Sequence, residues 1–340
     1  MSMNKNIAAF GEVMMRLEVP NNELLAQSNT LNYSFSGTGT NITAALSRFG
    51  YSSYLVSTLP DNPIGDAAIS HLHKLGLSSQ FITRAGNYIG MYFLENGFGW
   101  RPSRVTYSNR RESSFNTAAD ELYDFEHIAK IMDIVHFCGI TLAMNESIRK
   151  QMISFARAVK KNGGTVVFDC NYRPSLWGAN GYKKAKAHYE EILHLADIVM
   201  MNEKDAMFIL DLKTEKIKQE DQLLELIPII SQKYSISLIA GTQRTINQDH
   251  THSLRGFVHQ NNTMTFSNTH TFPVLDRIGS GDAFTSGVIY GSCEGFSIKK
   301  TVDFATAACM LAHTIKGDTP MSTKTEIIKA MTYAVSDVER

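Results

Sequence analysis

The sequence predicts an α/β protein, with a mainly parallel central sheet covered by helices on both faces and a small β-sheet projecting from it. Short apolar runs alternate with amphipathic stretches through most of the 340 residues, as strand–helix–strand crossovers require. That rhythm stops across residues 86–109, where two strand-like runs follow each other with no helical period between them.

Taken in order, Ile7 to Phe10 reads as the first strand, ending at Gly11-Glu12. Asn41 to Phe49 reads as a helix stopped by Gly50, and Tyr54 to Thr58 as the next strand. After the turn-like Gly65-Asp66, Ala67 to Leu77 is helical. Tyr88 to Glu95 and Arg104 to Tyr107, joined by NGFGWRPS, form an antiparallel excursion. With Met14 to Glu18 and Tyr33 to Phe35 they predict a small sheet, its strands drawn from about 13–18, 31–36 and 86–109. Such a sheet is either a decorative hairpin or a lid over the carboxyl ends of the main strands, where open α/β folds bind ligands. The lid is the expectation. Strands follow at Ile134 to Phe137, Thr165 to Phe168, Ile198 to Met201 and Leu238 to Ala240, with helices at Ile148 to Lys161 and Tyr182 to Leu195. No repeat, low-complexity linker or charge run interrupts the chain, so one domain over residues 1–340 with its lid is expected.

Composition narrows the partner. Lys plus Arg equals Asp plus Glu at 33 each, so no net field draws the chain to nucleic acid or to an anionic membrane. A small molecule is the better match. The four cysteines lack metal-type spacing and lie mostly in apolar runs, which predicts buried free thiols with no zinc and no disulfide. The first residues, MSMNKNIAAF, hold no apolar run of signal-peptide length, and no stretch nears about 18 consecutive apolar residues. A cytoplasmic protein is expected.

The strongest local signal is Asp276-Arg277-Ile278-Gly279-Ser280-Gly281-Asp282, followed by AFTSGVIYGS with small and apolar residues at helical spacing. A Gly-Ser-Gly turn that opens a helix presents unpaired backbone N–H groups at the positive end of the helix dipole, and so makes an anion hole. Glycines at 279 and 281 let a phosphate approach without a Cβ in the way. The acid that follows is a poor phosphate ligand and a good proton acceptor, so Asp282 reads as a base. Taken alone, the segment also fits a glycine turn with an N-capping aspartate. Phosphoryl transfer needs little more than N–H groups for the migrating charge and one carboxylate for the attacking hydroxyl. Neither GxxxxGK[ST] nor the protein-kinase HRD and DFG set is present.

DRIGSGDAFTSG resembles the C-terminal signature of the ribokinase-like, or PfkB, carbohydrate kinases. The resemblance runs through GEVMMRL, SGTGTNITAALSRFG at 36–50, GMYFLENG at 90–97, FDCNYRPSLW at 168–177, MNEKD at 201–205, GTQR at 241–244 and HTIKGD at 313–318. Within the family, GEVMMRL, YFLENG with RPSRVTY, FDCNYRPSLW and DRIGSGDAF look most like 2-dehydro-3-deoxygluconate kinases. The resemblance implies a ribokinase-like three-layer α/β/α sandwich with a β-sheet lid, and ATP with Mg²⁺ as cofactors. It implies phosphorylation of O6 of the sugar acid and makes a homodimer through the lid plausible.

Residue by residue, the resemblance implies Asp282 as base, an anion hole at Gly279, Ser280 and Gly281, and Arg277 helping to hold the phosphates. Gly37 and Asn41 match residues that touch sugar hydroxyls, although Asn41 would also suit a helix start. Tyr92 and Tyr107 match sugar-contacting tyrosines, or else pack the lid. Arg173 can pair bidentately with a substrate carboxylate or be a solvated arginine. Thr242 and Arg244 lie where the family binds nucleotide, Gly317 borders the expected adenine site, and His313 reads as structural. Three departures stand out. Ser36 precedes Gly37 where the family has two glycines. The family's NxxE appears as Asn202-Glu203-Lys204-Asp205, so Asp205, with Asn202, would hold magnesium-bound water. After Tyr107 the chain reads Ser108-Asn109-Arg110-Arg111, with Arg110 as the candidate guanidinium for the sugar. A kinase for fructose, another keto sugar or a nucleoside is the alternative within the class; a non-catalytic sugar-binding regulator is the alternative outside it.

Overall fold

The computed structural model describes residues 5–332. Its main sheet is assembled from near-continuous apolar runs, the composition of strands buried on both faces. Strands β1 (Asn6–Phe10), β4 (Ser52–Leu59) and β5 (Ile82–Arg84) run outward from the centre on one side, all parallel. On the other side of β1 come β8 (Ile134–Cys138), β9 (Thr165–Asp169), β10 (Ile198–Met200) and β11 (Leu238–Ile246), also parallel. The sheet then turns antiparallel: β12 (His252–Gln260) pairs with β11, and β13 (Thr263–Phe266) and β14 (His270–Phe272) both pair with β12. The chain therefore reverses direction of growth between β1 and β8, and a ligand crevice is expected beyond the carboxyl ends of the strands there.

Alternation along each strand sorts the core into two layers. Ala8, Phe10, Val135, Phe137, Val166 and Phe168 face α3 (Phe125–Ile131), α5 (Glu146–Lys161), α7 (Gly181–Leu193) and α8 (Gln219–Tyr234). Ile7, Ile134, Val167, Ile198 and Leu238 face α1 (Thr38–Arg48), α9 (Ser280–Cys293), α10 (Ile298–Ala312) and α11 (Lys324–Met331). A third apolar group, with Ala9, Leu55 and Leu59, seats α2 (Pro63–Lys74). Two short helices, α4 (Gly139–Leu142) and α6 (Pro174–Trp177), follow β8 and β9. No described helix is long and apolar enough to cross a membrane.

The small sheet has the order β3 (Asn32–Ser36), β2 (Met14–Glu18), β6 (Gly90–Glu95), β7 (Arg104–Ser108). Its strands fall where the sequence placed them, and the expected antiparallel pair is β6–β7; β2 is antiparallel to β3 and parallel to β6, so the sheet is mixed. Two helices begin earlier than their apolar periods. Thr38 opens α1, so Asn41 sits in its first turn rather than starting it. Asn62 caps α2, its side chain accepting from the N–H groups of Ile64 and Gly65 at 3.0 and 3.2 Å. β11 runs six residues past the predicted Ala240, because its polar half pairs with β12 and needs no apolar face of its own.

Candidate active site

Four strand ends and the small sheet enclose a cleft of about 1080 Å³, the size of a site for a nucleotide and a second small molecule. Two long helices, α1 and α9, begin at its wall, and neither has a side-chain cap: Gly37 and Gly279 stand at their N-cap positions. Their first N–H groups are left for a ligand, at the positive ends of two dipoles. Gly279 is required for two reasons. Its φ of 80° lies in the left-handed region, and a Cβ there would overlap the carbonyl oxygen of Asp318. A Cβ on Gly281 would meet nothing within 4 Å, so packing does not demand glycine at 281. The free space is the cleft itself. Ser280 is occupied at home, its Oγ donating to the Arg277 carbonyl at 2.8 Å.

Asp282 lies in the first turn of α9, buried, and its Oδ2 accepts from Asn41 Nδ2 at 2.7 Å. Asn41 is fixed in turn by Thr319, whose Oγ1 donates to its Oδ1 at 3.2 Å. Loss of hydration pushes the Asp282 carboxyl up to about 7, against the opposing pull of the Asn41 hydrogen bond and the Arg173 charge. A carboxylate poised near neutrality, held by one donor and with its other oxygen without a protein partner, can accept a proton.

Asp169, at the end of β9, lines the same cleft and was given no role from sequence. Desolvation and the neighbouring Asp282 charge push it up to about 7. The sequence signal was its place in FDCNYRPSLW, immediately after an apolar strand. Asp205 is also pushed up to about 7, chiefly by desolvation. Arg173 stands among these three acids and lowers each of them.

The opposite end of the cleft is cationic. Thr242 and Arg244 on β11 line it together with Arg277. Arg244 is depressed by burial and then by repulsion from Arg277, and no ion pair engages either guanidinium among the described residues. Two like charges left facing each other across open space suit a polyphosphate.

Asn202 and Asp205 close a reciprocal turn: Asp205 Oδ2 accepts from the Asn202 N–H at 2.9 Å, and Asn202 Oδ1 accepts from the N–H groups of Lys204 and Asp205. Asp205 begins a π-helical turn, Asp205–Ile209. Glu203 points away into the protein and bonds Gln219. Among the described residues no three His, Cys, Asp or Glu side chains converge as a metal cage.

Gly37, Asn41, Tyr92, Tyr107, Arg173, Asn202, Asp205, Thr242, Arg244, Arg277, Gly279, Ser280, Gly281 and Asp282 all line the cleft. Two predicted residues do not. Gly317 lies behind the wall, its N–H donating to Asp276 Oδ2 at 3.2 Å. Arg110 turns to a separate, smaller cavity of about 40 Å³ beneath Gly37 and Thr38. There its Nε bonds Glu12 Oε2 at 2.8 Å, while Ser113 Oγ donates to Glu12 Oε1 at 2.8 Å. Its guanidinium also lies 4.8 Å from the Tyr107 ring centroid. Between Tyr107 and Arg110 the backbone turns at Asn109, whose φ is 52°. Tyr92 contributes its ring to the cleft while its hydroxyl is bonded to Asp318.

Comparison with known proteins agrees with this geometry. The pattern of the pfkB family carbohydrate kinases matches residues 4–325. A 2-dehydro-3-deoxygalactonokinase of Haloferax volcanii is 24% identical over 339 residues, 99% of this chain and 100% of that protein. A crystal structure from Enterococcus faecalis, described as a candidate 2-keto-3-deoxygluconate kinase, superposes with a TM-score of 0.94 at 37% identity, covering 99% of both chains. The 2-dehydro-3-deoxygluconokinase of Thermotoga maritima superposes with a TM-score of 0.91 at 32% identity, covering 96% of this chain and 99% of that one.

Proposed function

The chain belongs to the pfkB family of carbohydrate kinases and has the ribokinase-like fold, and from that premise we propose that it phosphorylates the terminal hydroxyl of 2-dehydro-3-deoxygluconate. The observation that carries the reading is the place of Asp282. It lies between the wall made by α1 and the small sheet, where a sugar fits, and the Arg244–Arg277 corner, where a polyphosphate fits.

In this mechanism the sugar lies under the small sheet against Gly37, Asn41, Tyr92 and Tyr107. Asp282 accepts the proton of the attacking hydroxyl as its oxygen bonds to the γ-phosphorus of ATP, and the bond from that phosphorus to the bridging oxygen breaks. The N–H groups of Gly279 to Asp282 stabilise the charge on the transferring group. Arg277 and Arg244 hold the remaining phosphates, with Thr242 on the nucleotide side. Asn202 and Asp205 would hold Mg²⁺ through water, and the ion would supply charge neutralisation for the transfer. The small sheet acts as the lid that excludes water. A reaction that consumes ATP belongs in the cytoplasm, where we place the protein.

The sugar acid is supported by two solved relatives above 30% identity, both described as kinases of that acid. Its carboxylate has two candidate partners. Arg173 lines the cleft, and Arg110 lines the small cavity beneath Gly37. Phosphorylation of 2-dehydro-3-deoxygalactonate is a second reading, favoured by the Haloferax volcanii relative. A kinetic panel of both acids and fructose tests the proposal. The gluconate is expected to give the highest kcat/KM, and a tenfold advantage for fructose would remove the sugar-acid reading. Asp282→Asn should retain sugar binding while kcat falls about 10²–10⁴-fold; unchanged turnover would strip Asp282 of its role.

We also assign the protein a homodimer through the small sheet. β3 and β7 are its unpaired edges, and Leu31 and Tyr33 beside them are exposed.

A further inference from the structure

Arg16 is among the most deeply buried charged side chains described, 1% exposed, yet it belongs to β2 of the small sheet rather than to the main core. Its guanidinium meets Glu18 Oε2 at 3.0 Å, Asp276 Oδ2 at 3.4 Å, and Asp318. Each of the last two carboxylates has a second attachment. Asp276 stands six residues before Asp282 and accepts from the N–H groups of Ile278 at 3.1 Å and Gly317 at 3.2 Å, so it shapes the anion-binding turn from within. Asp318 accepts from Ser36 Oγ of β3 at 2.6 Å and from the Tyr92 hydroxyl of β6, while its carbonyl oxygen lies directly behind Gly279. Three strands of the small sheet thus converge on the two acids that back the turn, and one guanidinium joins them.

We propose that Arg16 is a positioning residue that makes the anion-binding turn at Gly279–Asp282 respond to the seating of the small sheet on the sugar. This rests on the reading of the protein as a sugar kinase. Lys316 Nζ reaches Glu18 Oε1 at 3.0 Å, so two cations face three carboxylates and one negative charge stands beyond charge balance. Without Arg16, Asp276 and Asp318 would keep their hydrogen-bond donors but stand with no cation between them in a weakly solvated site. When β2 moves with the sheet, the guanidinium moves with it, and the turn either follows or loses its support. A sugar that holds the sheet down therefore favours the assembled turn, and the turn in its assembled form binds the ATP phosphates. Linkage makes the effect reciprocal, so sugar and nucleotide each tighten the other's binding, and an empty sugar site leaves ATP poorly aligned for transfer to water.

The test is the dissociation constant of a non-hydrolysable ATP analogue, measured by calorimetry with and without saturating 2-dehydro-3-deoxygluconate. The variants are Arg16→Met, which keeps volume and removes charge, and Asp318→Asn, which is isosteric and removes one excess negative charge. In the intact protein the sugar should tighten the analogue by about 5–150-fold. In both variants that ratio should fall towards one, and sugar-independent ATP hydrolysis should lose its dependence on the state of the sheet. Should Arg16→Met not fold, Asp318→Asn decides alone. A folded variant that keeps the full ratio overturns the role of Arg16 while the kinase reading stands. An intact protein that phosphorylates no sugar acid, keto sugar or nucleoside overturns both.

Discussion

Asp282 takes its reactivity from burial opposed by two neighbours. Burial holds its proton, and Arg173 and Asn41 pull towards the carboxylate. A base must be ionised to act, so kcat/KM should rise with pH to a plateau, with an inflection near 7 and a tenfold fall per unit below it. Because Arg173 lowers the Asp282 pKa, Arg173→Gln should move that inflection upward, and a pH profile of kcat/KM reads the displacement directly. An unchanged inflection would show that the guanidinium acts elsewhere. Asp282 was legible because its chemistry follows from two glycines and a helix start contiguous in the chain. Asp169 was not legible as a partner. Its influence comes from sharing a cleft with a residue 113 positions away, and an aspartate after a strand carries no mark of that.

At the scale of elements, α9 distinguishes a glycine the fold needs from one the ligand needs. Gly279→Ala forces a side chain into the left-handed region and against Asp318, and should cost about 1–3 kcal/mol, read as a lowered thermal midpoint. Gly281→Ala meets no protein atom, so the midpoint should hold while KM for ATP rises as the methyl occupies the phosphate's approach. Equal effects of the two on stability would refute the distinction. The strands of the small sheet and the parallel strands were readable from period and composition. The starts of α1 and α2 were not, because their first turns, Thr38–Thr40 and Pro63–Asp66, are capping and glycine positions with little apolar periodicity. The far half of β11 was hidden for a related reason: it is polar, and only β12 makes it a strand.

For the whole molecule, acid stability is governed by histidines that the fold buries uncharged. His136 on β8 has neither ring nitrogen hydrogen-bonded, and desolvation lowers it to about 3; His313, largely buried, falls to about 4. A histidine whose folded pKa lies below its unfolded value of 6.5 binds fewer protons in the native state, so its contribution is intact above 6.5 and is lost as pH falls below it. The loss is about 1.4 kcal/mol per unit for each such group. His136→Leu should therefore save about 2 kcal/mol of the stability lost between pH 6.5 and 5, measured by urea unfolding at each pH. The raised acids Asp169, Asp205 and Asp282 act oppositely, giving up stability as pH rises from about 4 to 7. The proposed homodimer belongs to this scale as well. Tyr33→Lys, on an exposed position of β3, should shift sedimentation towards the monomer if the small sheet is the interface, and an unaltered dimer would place the contact elsewhere.

The order of apolar strands and amphipathic helices, and the glycine turn that opens α9 with Asp282 in its first turn, were determined by neighbours along the chain. Periodicity and glycine conformation act over a few residues, which is why they can be read without coordinates. What the tertiary structure alone decided concerns charges that meet across long separations. It withdrew Arg110 to Glu12, 98 positions earlier, set Arg173 among three aspartates, and carried Arg16 across 260 positions to Asp276. Coulomb energy depends on distance and on the removal of water, and neither is written in the spacing of residues along a chain.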